Sequence, residues 1–319
     1  MNVEDALTVL PGILAIPGVG VGSVTRRDLK TGTTVVVLPS GARGSVDVGG
    51  GAPATRETPV LEPTNTIPGP DAVVLTGGSA IGLRSADGVV EVLQQLNRGV
   101  EVGPVRIPIV VAAAIFDMGV GRPEAPTVDD GKAAAMEANS GNQTVVEGRH
   151  GAGTGATVGK ILGPSLAMPG GQGAVTLTTQ DGLIVGAVVV VNAVGSVVDE
   201  VGTILAGPRT GERPESTLAL LAYPRPALGA GGATSIGLVV TNAGFSKAEL
   251  GRVARMSHDG LARAIEPVHT PWDGDTLFAV SVGERADDVG RVGALAAYAV
   301  ALAVRRAVRV SMAEEEREQ

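Results

Sequence analysis

Short apolar runs rich in β-branched residues recur along the chain and predict strands, because such side chains pack well on a pleated sheet. Two pairs of runs are joined by short turns, around Lys30-Thr31-Gly32 and at Gln180-Asp181-Gly182, and each pair predicts a hairpin. The predicted strands cover residues 19–24, 33–38, 71–76, 107–116, 174–179, 183–191, 236–240 and 277–282.

Other segments carry helix-start signals. Ser79 is expected to cap a helix that runs to about residue 97, and Ser246 with Glu249 three residues later forms a capping box. Asp129 and Asp130 suit the positive end of a helix dipole. The predicted helices cover residues 79–97, 127–138, 215–221, 246–265 and 292–304, with a mobile connector at 200–213.

Composition narrows the class of protein. The 319 residues can form one large domain or two small ones, and with only 2% aromatic residues the core must be filled by small aliphatic side chains. Cysteine is absent, which excludes disulfides and thiolate chemistry. The net charge of −8 argues against a nucleic-acid partner.

We expect neither a targeting signal nor a membrane-spanning segment in this sequence. The first ten residues have no basic segment of the kind that opens a secretory signal, so a cytoplasmic location is expected. The longest apolar run, residues 292–304, is shorter than the ~20 residues that a spanning helix needs, so no membrane association is expected.

Two glycine-rich segments superficially resemble nucleotide sites. Residues 18–22 lack the spacing and the flanking elements of a dinucleotide-binding fingerprint. Residues 148–160 end in Lys160, but a phosphate loop would need glycine at Thr154 and a hydroxyl residue at Ile161. We therefore expect no cofactor.

The most informative stretch is 228–242, where glycines lead into Thr234 and an apolar strand. Gly229, Gly231 and Gly232 can bend the chain tightly and bare the peptide bond before Thr234. The threonine hydroxyl can then attack the preceding carbonyl, and cleavage leaves a free α-amine that can activate the same hydroxyl. The alternative is a glycine-rich turn that enters an ordinary strand.

Several other residues allow two interpretations. Asn192 ends a predicted strand and either forms a turn or donates a hydrogen bond to developing negative charge. Asp273 and Asp275 either bind calcium or form a turn with Gly274, and the EF-hand pattern is absent. His258 is expected to be packed or solvated within its helix. We expect no bound metal.

Taken together, these segments resemble the family of self-processing DmpA-type aminopeptidases, β-aminopeptidases and nylon-oligomer endohydrolases. The resemblance covers nearly the whole chain, and several collinear matches are more specific than one short motif. The matching segments are residues 49–58, 77–83, 114–117, 190–192, 233–236, 258–263 and 269–279.

The resemblance implies a fold and a maturation step. It implies a single domain over residues 1–319, built as a four-layer αββα sandwich of two face-to-face sheets flanked by helices. It also implies self-cleavage between Ala233 and Thr234 into residues 1–233 and 234–319, which stay associated. A homo-oligomer, as a tetramer of processed heterodimers, is the implied assembly.

The resemblance also implies site residues. Thr234 is the nucleophile, Lys160 the active-site lysine, Asn192 the oxyanion-stabilising residue, and Asp273 with Asp275 the paired acids. A cation beside the α-amine disfavours the protonated amine and lowers its pKa. Two positions depart from the relatives. Ala233 stands where asparagine often precedes the nucleophile, and Phe116, assigned to substrate binding, stands where the nylon-oligomer branch has tyrosine.

The implied activity is hydrolysis of linear ω-amino-acid oligomers of the 6-aminohexanoate type, or of related short peptides, through an acyl-enzyme on Thr234. A β- or D-aminopeptidase is the alternative within the same class. Acyl transfer of the ornithine-acetyltransferase type is the alternative from another class, and an uncleaved binding protein is a third.

Overall fold

The computed structural model describes residues 6–211, 213–224 and 232–318. The strands are β1 (Leu7–Pro11), β2 (Gly20–Arg26), β3 (Thr31–Val37), β4 (Arg43–Val48), β5 (Thr55–Arg56), β6 (Ala72–Thr76), β7 (Val100–Val102), β8 (Val105–Ile107), β9 (Val110–Ala114), β10 (Thr157–Val158), β11 (Met168–Pro169), β12 (Gly171–Thr179), β13 (Ile184–Val191), β14 (Ser196–Val198), β15 (Ile204–Ala206), β16 (Ile236–Ala243), β17 (Ile265–Glu266) and β18 (Thr276–Arg285). The α-helices are α1 (Ser79–Gly82), α2 (Ser85–Gln95), α3 (Val128–Asn139), α4 (Thr217–Leu221), α5 (Lys247–Ala262) and α6 (Val289–Glu318).

Two large sheets organise the mixed α/β fold. The six-stranded sheet has the order β1-β12-β13-β16-β18-β4, and its strands are antiparallel except for the parallel pair β16 and β18. The five-stranded sheet has the order β2-β3-β6-β9-β5, with β6 and β9 parallel. The other strands form three small sheets.

The pleat divides each central strand between two hydrophobic cores. In β13, Val188 and Val190 pack with residues of the five-stranded sheet, such as Val73, whereas Ala187 and Val189 belong to the core under α5 and α6. The outer face of the five-stranded sheet packs on α2 and α3. Burial on both faces explains why these strands read as continuous apolar runs.

Small residues bring helices close to the sheets. A Cβ added at Gly20 would lie 2.0 Å from the Ala138 carbonyl oxygen, and one at Gly173 would lie 2.2 Å from that of Ala303. Glycine at these positions therefore lets α3 and α6 pack against β2 and β12. This close packing accompanies a composition that is poor in aromatic residues.

Most local predictions agree with the structure. Both hairpins form, and the predicted capping box of Ser246 with Glu249 is present. Thr127 forms a second capping box with Asp130, which was not predicted. The prediction for Ser79 is wrong. Gly78 precedes α1 with no side-chain cap, Ser79 has a φ of 53°, and the longer helix begins only at Ser85.

Other boundaries shift. The predicted strand 107–116 is divided, since Pro108 falls between β8 and β9 and cannot donate a backbone hydrogen bond. Helix α5 ends at Ala262 rather than at 265, and the predicted connector 200–213 contains β15. Within the part of the chain that the structure describes, none of the helices is long and apolar enough to cross a bilayer.

Candidate active site

The topology brings distant residues to one edge of the six-stranded sheet. Strands β16 and β18 are parallel, so their starts lie at the same edge, and antiparallel β13 ends there. Thr234 lies just before β16, Asn192 just after β13, and Asp273 and Asp275 just before β18. Lys160 approaches them from the short 3-10 turn Lys160–Leu162.

Thr234 is buried, with its side chain against the peptide bond that precedes it. Its hydroxyl donates a short hydrogen bond to the carbonyl oxygen of Ala233, and its own N–H donates to the Asn192 carbonyl oxygen at 2.8 Å. The N–H of Gly274 donates to the same Ala233 oxygen at 3.1 Å. One carbonyl therefore accepts from both the candidate nucleophile and a fixed backbone donor.

The ammonium of Lys160 is enclosed by three oxygen atoms. Its Nζ donates to the carbonyl oxygens of Asn192 and Gly232, each at 3.0 Å, and to Oδ1 of Asn192 at 2.5 Å. Burial lowers the pKa of Lys160 to about 7, although the negative charges of Asp273 and Asp117 oppose that shift. Because Thr234 N–H and Lys160 share the Asn192 carbonyl as acceptor, the lysine lies beside the backbone nitrogen of Thr234.

The side chain of Asn192 is held by three contacts. Its Oδ1 accepts from Lys160 and from the N–H of Thr157 at 3.0 Å, and its Nδ2 donates to the Phe116 carbonyl oxygen at 3.1 Å. Among the described residues, the second hydrogen of this amide has no partner. Asn192 itself is fully buried.

The carboxylate of Asp273 accepts hydrogen bonds from neutral donors. Thr270 donates its N–H at 3.1 Å and its hydroxyl at 2.5 Å, and the N–H of Val194 donates at 3.3 Å. Burial raises the pKa of Asp273 to about 6, and the nearby charge of Asp275 adds to the shift.

The carboxylate of Asp275 has different partners. Its Oδ1 accepts the N–H of Ser235 at 2.6 Å, directly after the candidate nucleophile. Its Oδ2 accepts from the backbone N–H of His269 at 3.1 Å and lies 2.8 Å from Nδ1 of the same residue. Asp275 therefore links the nucleophile's backbone to a histidine.

A glycine-containing loop supports residues 273–275, which we call the acid loop. The N–H groups of Gly49 and Ala52 donate to the carbonyl oxygens of Asp275 and Asp273 at 2.9 and 2.8 Å. A Cβ at Gly50 would lie 2.4 Å from the Asp275 nitrogen, so glycine is needed for this approach. Residues 49–52 therefore brace the backbone of the site.

An apolar cavity of about 220 Å³, which we call the cleft, opens beside Lys160. Phe116, the predicted substrate-binding residue, is 38% exposed and stands in its wall. The cleft is lined by Phe116, Gly119, Val120, Thr157, Lys160, Gly163, Pro164, Val194, Gly232 and Trp272.

Sequence reasoning named the central residues but not their supports. Gly274 and His269 lie between or beside the two predicted acids, and the density of polar residues in 269–275 was the available signal. Asp117 accepts from the Thr31 hydroxyl and the Gly78 N–H, both at 2.7 Å, and burial raises the pKa of Asp117.

The glycine-rich segment before Thr234 is described only from Gly232 onward. The predicted bends at Gly229 and Gly231 lie outside the described residues. In the described ranges, no group of three or more histidine, aspartate or glutamate side chains is arranged to hold a metal ion. Asp273 and Asp275 accept hydrogen bonds from protein donors.

Comparison with known proteins agrees with this geometry. Residues 12–317 match Peptidase family S58. An uncharacterized aminopeptidase of Mycobacterium tuberculosis is 40% identical over 289 residues, which cover 85% of this chain and 81% of the relative. The 6-aminohexanoate-oligomer endohydrolase of Paenarthrobacter ureafaciens is 35% identical over 277 residues, which cover 84% of this chain and 74% of that enzyme.

Solved structures show the same fold at low sequence identity. A β-aminopeptidase of Burkholderia sp. superposes with a TM-score of 0.68 and 20% identity, covering 92% of this chain and 84% of its own. The L-aminopeptidase D-Ala-esterase/amidase of Ochrobactrum anthropi, described as a variant of the Ntn-hydrolase fold, gives 0.65 and 18%, with coverages of 93% and 85%. The chain belongs to Peptidase family S58 and is a hydrolase that acts on amide bonds.

Proposed function

We propose that the chain cleaves itself between Ala233 and Thr234 and then acts as an N-terminal-threonine amidohydrolase. The observation that carries this proposal is the Ala233 carbonyl, which accepts from the Thr234 hydroxyl and from the Gly274 N–H at 3.1 Å. A fixed backbone donor on the carbonyl oxygen stabilises the negative charge that develops when the hydroxyl attacks.

Self-cleavage takes two steps, an acyl shift from nitrogen to oxygen and hydrolysis of the ester. The Thr234 oxygen bonds to the Ala233 carbonyl carbon, the C–N bond breaks, and the hydroxyl proton passes to the departing nitrogen. Water then hydrolyses the resulting ester, which leaves a carboxylate on Ala233 and a free amine on Thr234. Ala233 is fully buried, and the residue before it, Gly232, lies in the cleft wall. Release of the new carboxyl end at Ala233 therefore uncovers the nucleophile.

In the processed enzyme, the Thr234 amine takes the proton of its own hydroxyl, which attacks the substrate carbonyl. Lys160 favours the neutral amine through its positive charge, and the second N–H of Asn192 stabilises the substrate oxyanion. Asp273 and Asp275 offset the positive charges. Water releases the acyl group from Thr234.

We propose that the two fragments remain one body in a four-layer αββα sandwich. Strand β16 would open the smaller fragment, yet it lies between β13 of the larger fragment and β18. Three hydrophobic cores support the four layers, one between the sheets and one under each helical layer. The tetramer of processed pairs and the cytoplasmic location stay predictions.

We propose linear ω-amino-acid oligomers of the 6-aminohexanoate type, or related short peptides, as substrates. The cleft wall is mostly apolar, with Phe116, Val120 and Trp272, and suits a methylene chain. The hydroxyl oxygen of Thr157, a residue of the cleft wall, is buried and has no hydrogen-bond partner among the described residues. The name of the 35% identical relative supports the same class.

Intact-mass measurement over time, with N-terminal sequencing of any fragment, tests the proposal. We expect a fragment that begins at Thr234, no cleavage in Thr234→Ala, and release of shorter products from 6-aminohexanoate oligomers by the processed protein only. An active or cleaved Thr234→Ala protein contradicts the mechanism.

A matched glycine pair tests the role of Gly274. A Cβ at Gly274 would lie 2.5 Å from the Ala52 oxygen and 2.8 Å from the Thr234 hydroxyl, whereas one at the exposed Gly211, outside the site, meets nothing within 4 Å. We expect Gly274→Ala to slow self-cleavage about 100-fold, the loss typical of a displaced oxyanion donor. Gly211→Ala should cleave at the parent rate.

A further inference from the structure

Two histidines continue the hydrogen-bond chain beyond Asp275. Nε2 of His269 lies 3.2 Å from Nδ1 of His258, and Nε2 of His258 lies 3.1 Å from the carbonyl oxygen of Asp47. The rings are edge to face, with centroids 4.6 Å apart. The chain therefore runs from the site through two imidazoles to strand β4.

Counting hydrogens fixes the charge of this pair. The Asp47 carbonyl oxygen can only accept, so Nε2 of His258 carries a hydrogen. The Asp275 carboxylate accepts from two N–H groups already, and because an ionised carboxylate can only accept, Nδ1 of His269 at 2.8 Å is assigned a hydrogen. The contact between the rings needs one more hydrogen. Two neutral imidazoles carry two nitrogen-bound hydrogens in all, whereas the hydrogen bonds from Asp275 through both rings to Asp47 need three.

The surrounding charges place the extra proton on His269. Its Nδ1 is 2.8 Å from the Asp275 carboxylate, and Asp273 is on the same loop. His258 is 3.7 Å from the carboxylate of Asp47, which also pairs with Arg255 of α5 at 3.2 Å. The shifts agree. Burial lowers the pKa of His269, but Asp275 outweighs it and the net shift is upward, whereas burial lowers the pKa of His258.

We propose that His258 and His269 together hold one proton more than two neutral imidazoles, and that the charged His269 is a positioning residue. It acts through Asp275, whose other oxygen holds the N–H that follows Thr234. This role rests on the function proposed above. His269 has a φ of 57°, a conformation uncommon for a non-glycine residue and often found at functional sites.

Nuclear magnetic resonance of the imidazole nitrogens tests the proton count. The chain has three histidines, so His→Gln variants at 150, 258 and 269 assign the signals. In uncleaved Thr234→Ala protein at pH 6.5, where an ordinary ring is half charged, we expect His269 to be mainly imidazolium. His258 should be mainly neutral with its hydrogen on Nε2. Two neutral rings, or the charge on His258, overturn the proposal.

Kinetics test the positioning role. His269→Gln should lower the self-cleavage rate and kcat about tenfold, as loss of a hydrogen bond to a charged group does, with KM unchanged. In the parent, kcat should decline at alkaline pH as the histidine pair loses its extra proton, and His269→Gln should lack that decline. His150→Gln, near Glu314, should match the parent. An unchanged kcat and pH profile in His269→Gln overturns the role.

The two proposals fail separately. The nitrogen spectra are recorded on an uncleaved protein and do not require activity. If the parent chain never cleaves, the proposed function fails, while a charged His269 in those spectra still supports the proton count.

Discussion

The acid loop has two sides that differ in size, polarity and bonding. On the Asp273 side is the cleft of about 220 Å³, with an enclosed lysine and mostly apolar walls. On the Asp275 side, the histidine chain leads to Asp47 in the wall of a larger groove of about 610 Å³, which Arg252 and Arg255 also line. The smaller cavity is lined by Lys160 and Gly232 and therefore adjoins the candidate nucleophile, whereas cavity size alone would select the other side.

The difference shows how one short loop gives two carboxylates different surroundings. Asp273 is bonded by neutral groups and keeps a raised pKa, and its negative charge acts on Lys160. Asp275 faces a charged imidazole in our interpretation and serves as a fixed anchor. Surroundings that differ in this way are how proteins assign different roles to neighbouring acids.

The largest expected effect separates the two acids by stability. In the uncleaved Thr234→Ala background, Asp275→Asn should lower the unfolding free energy by about 3 kcal/mol, because it leaves a partly buried imidazolium without its charged partner. Near pH 4, where the folded parent keeps the proton of Asp273, Asp273→Asn should cost only about 1 kcal/mol, the value of one hydrogen bond. Urea denaturation measures both, and equal costs would remove the distinction.

A second prediction concerns pH. The pKa of Asp273 is about 6 when folded against 3.8 for an ordinary aspartate, so the folded state binds the proton more tightly. The stabilisation is therefore fully present below about pH 4 and is lost as pH rises through 6, by about 3 kcal/mol at ~1.4 kcal/mol per pKa unit.

Unfolding curves of Thr234→Ala with and without Asp273→Asn, from pH 4 to 7, isolate this contribution. The variant should lack that part of the decline, so its stability relative to the parent should rise across the range. Parallel curves would show that Asp273 does not titrate there.

The smallest effect sharpens the contrast between the cavities. Trp272→Ala removes an apolar wall of the cleft and should raise KM for 6-aminohexanoate oligomers about tenfold, equal to ~1.4 kcal/mol. Arg252→Ala alters only the groove and should leave KM unchanged. A larger effect at Arg252 would place the substrate on the Asp275 side.

Sequence alone determined features that depend on near neighbours. The apolar run that became β13, the Asp181-Gly182 turn and the Ser246–Glu249 capping box each follow from contacts within a few residues. Family resemblance supplied the candidates Thr234 and Lys160, and their catalytic roles stay predictions. The prediction for Ser79 was wrong because Ser79 itself has a positive φ, and Gly78 precedes the helix with no side-chain cap.

Only the tertiary structure decided how those candidates are surrounded. Lys160 reaches an oxygen 72 positions away at Gly232, and His258 reaches one 211 positions away at Asp47. Burial and such distant partners determine the pKa values of these groups and how many protons they hold. Neither burial nor distant contacts can be read from local periodicity. The chain's own pattern therefore predicts most of its strands and the Ser246 cap, whereas the different surroundings of Asp273 and Asp275 exist only once the sheets have packed.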